Sequence, residues 1–170
     1  HPSVVKLNGK PGITTKIFAE NSYILIEPAH RPIFKKRRIS LKDLHGKNYV
    51  AFSSTTPTGR SISQFLRKNG VSPKIIQEYE NIETLKSAVQ IGCGCSLVPS
   101  QTITREKKEG TLLTAEVDNL TLKRPLGIIF SKGKIFTSST KVFYEMLINK
   151  FKSKDGKTDL DRHESPVNSE

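Results

Sequence analysis

Apolar positions along the chain fall into short runs and helical stripes that alternate. Ile13 to Phe18 and Tyr23 to Glu27 are β-branched or aromatic runs separated by Asn21-Ser22, and they predict two extended segments. Ser40-Leu41-Lys42-Asp43-Leu44 ahead of Gly46 predicts one capped helical turn. Tyr49 to Phe52 predicts a buried strand. A hydroxyl-rich stretch follows it, and then a helix with Ile62, Phe65 and Leu66 on one face that stops at Asn69-Gly70.

The pattern then repeats. Lys74 to Tyr79 predicts a strand, and Asn81 caps a helix whose Ile82, Leu85, Ala88 and Val89 form one stripe, ended by Gly92. Cys95 to Val98 predicts a strand closed by Pro99, and a polar helix from about Ser100 to Glu109 precedes the turn at Gly110. Leu112 to Val117 and Leu126 to Phe130 predict strands, and Ser138 to Phe151 a last helix with Val142, Phe143, Met146, Leu147 and Phe151 facing a core. From Lys152 to Glu170 the only aliphatic residues of any size are Leu160 and Val167. That is too little apolar surface to offset ordering entropy, so residues 152–170 are expected to be a disordered tail. Strands linked through helices predict an α/β protein with a mostly parallel sheet covered on both faces, in which ligands sit at the carboxyl ends of strands.

Composition narrows the class. A chain of 170 residues with 35% hydrophobic and 26% charged residues can bury a core without a metal or disulfide staple. Lys and Arg outnumber Asp and Glu by 28 to 16, a formal net charge of +12, which favours anionic partners. The dense run Lys35-Lys36-Arg37-Arg38 lies between Pro32 and Ser40 with no aromatic interleaved. It reads as a solvated loop, or as a contact for nucleic-acid phosphates. No apolar run is long enough to span a bilayer, and the N-terminus lacks a secretory pattern, so a cytoplasmic location with no membrane partner is expected.

Candidate chemistry gathers at Ser53, Ser54, Thr55, Thr56, Thr58, Gly59 and Arg60, where hydroxyls, a glycine and a cation meet a helix N-terminus after a strand. Free N–H groups and the positive helix end suit a carboxylate or sulfate. Equally, Thr56 or Thr58 can serve only as N-cap, with Pro57 in the first turn and Arg60 solvated. Cys93 and Cys95, one residue apart, close no useful disulfide loop and make an incomplete metal site. The histidines, His1, His30, His45 and His163, fall in a terminus, loops or the tail, so no base is placed for a nucleophile and no enzyme is expected. No cofactor is called for.

Glu80 to Pro99 runs as an acidic helix start, an apolar helix, Gly92-Cys93-Gly94 and a strand closed by proline. It resembles the effector-binding region of LysR-type transcriptional regulators. Phe18-Ala19-Glu20 with Ile24-Leu25-Ile26 is similar to the family's crossover between lobes, and Ile39 to Leu44 to its short helix. Arg124 to Ile129 with Lys132-Gly133 is similar to its return crossover. The resemblance spans about residues 12 to 151. It implies a type II periplasmic-binding-protein-like α/β fold of two lobes, with the second nearly complete and the first only partly present. Residues 1–22 would end the first lobe and cross over, 23–125 would form the second lobe, and 126–151 would return a strand and a helix to the first.

By the same resemblance, a small and anionic effector binds between the lobes. Thr58-Gly59-Arg60-Ser61 is similar to the turn that contacts the effector anion in sulfur-assimilation members, and Cys93 and Gly94 stand where the cleft wall is expected. DNA would be reached only through a helix-turn-helix preceding His1, in a homodimer or homotetramer. The alternative of another class is a solute-binding protein of a transporter, which shares the fold.

Overall fold

A computed structural model describes residues 12–152 of the protein. Chain order is β1 (Ile13–Pro28), β2 (Arg38–Ser40), a 3-10 turn (Leu41–Leu44), β3 (Asn48–Phe52), α1 (Pro57–Lys68), β4 (Lys74–Tyr79) and α2 (Ile82–Gln90). There follow β5 (Ser96–Pro99), a second 3-10 turn (Ser100–Ile103), α3 (Thr104–Glu109), β6 (Leu112–Asp118), β7 (Lys123–Ser131) and α4 (Ser138–Lys152). Lys152, expected in the tail, ends α4, while residues 153–170 lie outside the described residues.

The two extended segments expected near the N-terminus are one strand of 16 residues. Asn21 and Ser22 read as a break from sequence, but β7 supplies them with ladder partners, Arg124 and Lys123, and a register shift between Ile17 and Ala19 absorbs the irregularity. Tertiary pairing overrides the weak strand propensity of Asn and Ser.

The expected mostly parallel sheet is also corrected. In the order β2-β6-β1-β5, with β7 beside β1, every pair that includes β1 is antiparallel. The parallel pairs are β2–β6, β3–β4 and the bridge between Tyr49 and Cys95. The helix-linked strands do run one way. The long β1 inserts between β5 and β6 against their direction, so it turns their neighbours antiparallel.

The core lies where these sheets meet α1 and α2, around Leu25, Ile26, Val50, Leu85, Val89 and Leu97, all fully buried. Buried Tyr49 ties β3 to β5: its hydroxyl accepts from the Leu97 N–H at 3.1 Å, and burial raises its pKa far above the ordinary tyrosine value. α2 starts as its sequence requires, with Asn81 Oδ1 accepting from the Glu83 and Thr84 amides at 2.7 and 3.4 Å. The expected polar helix splits into the 3-10 turn at Ser100–Ile103 and a short α3, closed by Gly110 at φ 69°.

The last helix is rotated from its expected face. Val142, Phe143 and Met146 are more than half exposed, whereas Ile148 is buried and Tyr144 packs edge-on against Phe130 at 6.2 Å. The side chain of Phe151 lies outside the described residues. The apolar stripe of α4 is broad, and β7 and β1 cover only one side of it.

Ser40 caps the first 3-10 turn with a reciprocal box. Its Oγ accepts from the Lys42 N–H at 3.3 Å, and its own N–H donates to Asp43 Oδ2 at 3.0 Å. Ser40→Ala is expected to cost about 1 kcal/mol in urea unfolding, the usual loss for a cap. An unchanged midpoint would mean that burial of Leu41 and Leu44 holds the turn without the cap.

Candidate functional site

The strand β3 ends at Phe52, and the chain turns through Ser53 to Thr56 into α1. Pro57 at the first helical position has no N–H to lose, and Thr56 is the N-cap: its Oγ1 accepts from the Gly59 N–H at 3.0 Å and donates to Ser53 O at 2.8 Å. The Arg60 N–H donates to Thr56 O at 3.0 Å. Among the described residues this leaves the Thr58 amide as the first-turn donor without an acceptor, at the positive end of a helix 12 residues long.

The other hydroxyls of the turn are engaged with one another. Ser53 Oγ and Thr55 Oγ1 are 2.8 Å apart, and Thr55 Oγ1 donates to the Glu80 carboxylate at 2.8 Å. Ser54 is exposed. Arg60 folds back, its Nη1 donating to the Ser54 and Thr55 carbonyls at 3.2 and 2.6 Å, so it braces the turn. Gly59 is buried because α1 passes directly over the end of β3: a Cβ there would stand 2.1 Å from Ser53 O and 2.6 Å from Phe52 O.

Cys93 and Gly94 are not brought to this turn. Gly94 packs on the opening of β3, where a Cβ would meet Asn48 O at 2.5 Å, and the turn lies beyond Phe52, the length of β3 away or about 16 Å at the usual strand rise. Cys93 is partly buried against the core, and neighbouring Cys95 is fully buried, with its thiol pushed up to about 12 by that burial. Among the described residues no three His, Cys, Asp or Glu side chains are grouped to hold a metal ion.

What the structure brings to the Thr58 turn instead comes from the two crossing strands. Tyr23 of β1 brings its hydroxyl beside the Thr58 side chain and lies within the field of Arg124 on β7. Burial raises the Tyr23 pKa, and the Arg124 charge and the neighbouring Thr58 side chain offset this only in part, so the hydroxyl stays neutral at physiological pH. Next along the crossing, Asn21 and Arg124 are ladder partners, and both Asn21 Oδ1 and Arg124 Nε are buried without a hydrogen-bond partner. Arg124 has no carboxylate within salt-bridge distance among the described residues. Unpaired buried polar atoms are costly and rare.

On the other flank of Tyr23, Ser22 Oγ and Ser100 Oγ are 3.2 Å apart, and a cavity of about 420 Å³ opens on Ser22, Tyr23, Ser100 and Thr121. The residues that sequence reasoning missed, Tyr23, Asn21, Arg124 and Ser100, therefore sit at the carboxyl ends of β3 and β5 and on the strands that cross there. Pro99 and Pro125 flanked two of them, but only the ladder pairing shows that these segments meet.

The chain matches the model of the LysR substrate binding domain over residues 7–152. It is 28% identical over 142 residues to a probable RuBisCO transcriptional regulator of Cyanophora paradoxa, an alignment covering 82% of this chain and 44% of that protein. The chain thus spans less than half the length of that relative. Among solved structures it is similar to the CcmR regulatory domain of Synechocystis PCC6803 in complex with 2-PG, with TM-score 0.74, 19% identity, 86% of this chain and 70% of that one. It is also similar to the effector binding domain of QuiR in complex with shikimate, with TM-score 0.71, 17% identity, 86% of this chain and 68% of that one. These likenesses show the fold, which is type II periplasmic-binding-protein-like, and the match does not favour a transporter's solute-binding protein. No described helix is long and apolar enough to cross a membrane. From its first-turn amides to its crossing strands, the chain belongs to the LysR substrate-binding domain family.

Proposed function

We propose that this chain is the effector-sensing part of a LysR-type transcriptional regulator, that it takes a small anionic metabolite between the Thr58 turn and the Arg124 crossing, and that it is not an enzyme. The observation that carries this is the convergence of a free first-turn amide, the Tyr23 hydroxyl beside the Thr58 side chain and a guanidinium whose buried Nε has no partner. An anion placed there would accept from the Thr58 amide, from the Thr58 hydroxyl and from Arg124 in a partly dry site, where charge-assisted hydrogen bonds are strongest.

Ser53, Ser54, Thr55, Thr56, Gly59 and Arg60 shape this turn, with Ser54 the exposed hydroxyl. Cys93 and Gly94 serve the packing of β3 on β5. In this reading residues 23–125 form the second lobe, while residues 12–22 and 126–151 belong to the first; residues 1–11 of the same expected segment lie outside the described residues. The lobes join where Asn21 and Ser22 pair with Arg124 and Lys123. The whole protein reads DNA through a helix-turn-helix outside this chain, acts as a homodimer or homotetramer, and works in the cytoplasm. Catalysis is disfavoured because the Cys95 thiol is buried and His45 is engaged in accepting the Ser72 N–H at 3.3 Å.

The test is titration calorimetry of small carboxylates and phosphate esters into wild type, Thr58→Val and Arg124→Gln, with thermal melts beside it. Thr58→Val is expected to weaken the best ligand by roughly 1.5–3 kcal/mol, about one to two decades. Arg124→Gln should weaken anions and leave neutral analogues almost unchanged. If both variants bind as wild type does, the site lies elsewhere and the turn is only a cap.

A further inference from the structure

Away from the crossing, the basic run Lys35 to Arg38 lines a groove of about 780 Å³ together with Lys107 of α3 and residues of β6. We propose that this groove holds the phosphate backbone of duplex DNA without reading its bases, as a contact separate from the cleft.

The loop is held in place, which a merely solvated run has no need of. The buried Glu27 carboxylate accepts from the Ile33 and Phe34 amides at 2.6 and 2.8 Å, so the buried acid of the groove is spent on the backbone. Lys35 is fixed at φ 53°, a left-handed conformation uncommon for a residue other than glycine. The Arg37 carbonyl accepts from the Glu116 N–H at 2.8 Å, and Arg38 enters the ladder with β6. Cations on a fixed backbone lose less freedom on binding than cations on a free loop.

Arg38 is paired with Asp118 at 2.7 Å and lies 4.0 Å from Glu116, but Lys35, Lys36, Arg37 and Lys107 have no carboxylate within salt-bridge distance among the described residues. Four cations in one concave surface call for a partner with several regularly spaced negative charges. No aromatic side chain lines the groove, so it offers bases nothing to stack on, which favours a duplex over a single strand.

The test is fluorescence anisotropy of a labelled duplex of arbitrary sequence titrated with this chain across a range of salt. Neutralising Lys35, Lys36 and Arg37 to Gln together is expected to weaken binding at least tenfold at low salt. It should also lower the salt slope by roughly 2 to 3, at about 0.9 for each phosphate that is no longer neutralised. A matched triple variant at the exposed Lys132, Lys134 and Lys141, with the same change in net charge, should bind within a factor of about three of wild type. Glu116→Gln, which removes the exposed acid of the groove, should tighten binding. All of these side chains are exposed, so equal melting temperatures are expected. If the two triple variants weaken binding alike, the attraction is overall charge and the groove is not a site. A poly-glutamate peptide of equal charge binding as tightly as the duplex overturns the proposal in favour of an acidic protein partner. None of these variants touches Thr58 or Arg124, so either reading can fail alone.

Discussion

Lys86→Met is expected to lower the unfolding free energy at neutral pH by roughly 3–5 kcal/mol, the usual loss when one partner of a buried ion pair is removed. Lys86, 4% exposed, joins α2 to α3: its Nζ donates to Glu106 Oε1 at 2.8 Å, to Thr102 O at 2.9 Å, and lies 2.9 Å from Glu83 Oε1. Glu106 is 1% exposed and its Oε2 has no partner. Without the lysine, its charge would keep only the exposed Arg105 at 3.3 Å. Burial raises the Glu106 pKa, but the hydrogen bond and charge of Lys86, with Arg105 behind them, outweigh it and hold the carboxyl below its ordinary value.

The pair's contribution is therefore fully present above the ordinary carboxylate range and is lost as pH falls through the lowered folded pKa. Lys86 is the mirror case. Burial lowers its pKa, but Glu106 and Glu83 outweigh burial and raise it, so its share is lost only as pH rises past the ordinary lysine range. In the Met variant burial is left in command of Glu106, whose pKa rises. The deficit against wild type should therefore begin to shrink as pH falls toward the ordinary carboxylate range, because the buried acid takes up a proton above its usual pKa, and should shrink further below that range, where the wild-type pair loses its own contribution. Urea unfolding at pH 7 and pH 4 reads this. The double variant Lys86→Met/Glu106→Leu should recover most of the loss, because an apolar pair of similar size is often as stable as the ions it replaces. A double variant as unstable as the single one would mean that the loss comes from Thr102 and packing, not from a stranded charge.

How much of this was legible in the sequence depends on whether the controlling partner is local. α1 and α2 announce themselves through stripes such as Leu85, Ala88 and Val89 and through adjacent cap residues, Asn81 and either Thr56 or Thr58, because a helix closes its hydrogen bonds within itself. β1 does not. Whether Asn21-Ser22 breaks a strand or runs through it is decided by β7, a distant segment, and nothing near Asn21 records that pairing. The same holds for direction: helix linkers between strands predict a shared sense, and a single long strand inserted at the centre reverses every ladder it joins.

The site divides in the same way. Ser53 to Arg60 is contiguous, so its gathering of hydroxyls at a helix start could be seen in one stretch of sequence. Tyr23 and Arg124 reach it only through the β1–β7 crossing, and Cys93 and Gly94 leave it because β5 meets β3 at Asn48, the opposite end. A resemblance in motif order places segments in a fold but does not say which end of a strand a residue occupies.

The substitution that links fold and site most directly is Gly59→Ala. On helix propensity alone it should help, since alanine is better than glycine in a helix by about 0.8–1 kcal/mol. Gly59 is inside α1, and its backbone does not require glycine for any left-handed conformation. The opposing effect is steric. The added Cβ would stand 2.1 Å from Ser53 O and 2.6 Å from Phe52 O, and both are backbone atoms at the end of a buried strand that cannot swing aside as a flexible side chain would. Overpacking of this kind costs about 1–3 kcal/mol or more, so the net outcome is expected to be a loss of about 2 kcal/mol despite the gain in propensity. Thr56→Ala is the comparison: it removes the cap without adding an atom and should cost about 1 kcal/mol. Gly59→Ala should also push the first turn of α1 off β3 and carry Thr58 away from Tyr23, so that anion affinity falls more than in Thr56→Ala. Urea unfolding and calorimetric titration of the same anions measure both. If Gly59→Ala is instead more stable than wild type, α1 can ride freely over the end of β3, and the tight approach that holds the Thr58 amide toward the crossing is not a constraint on the site.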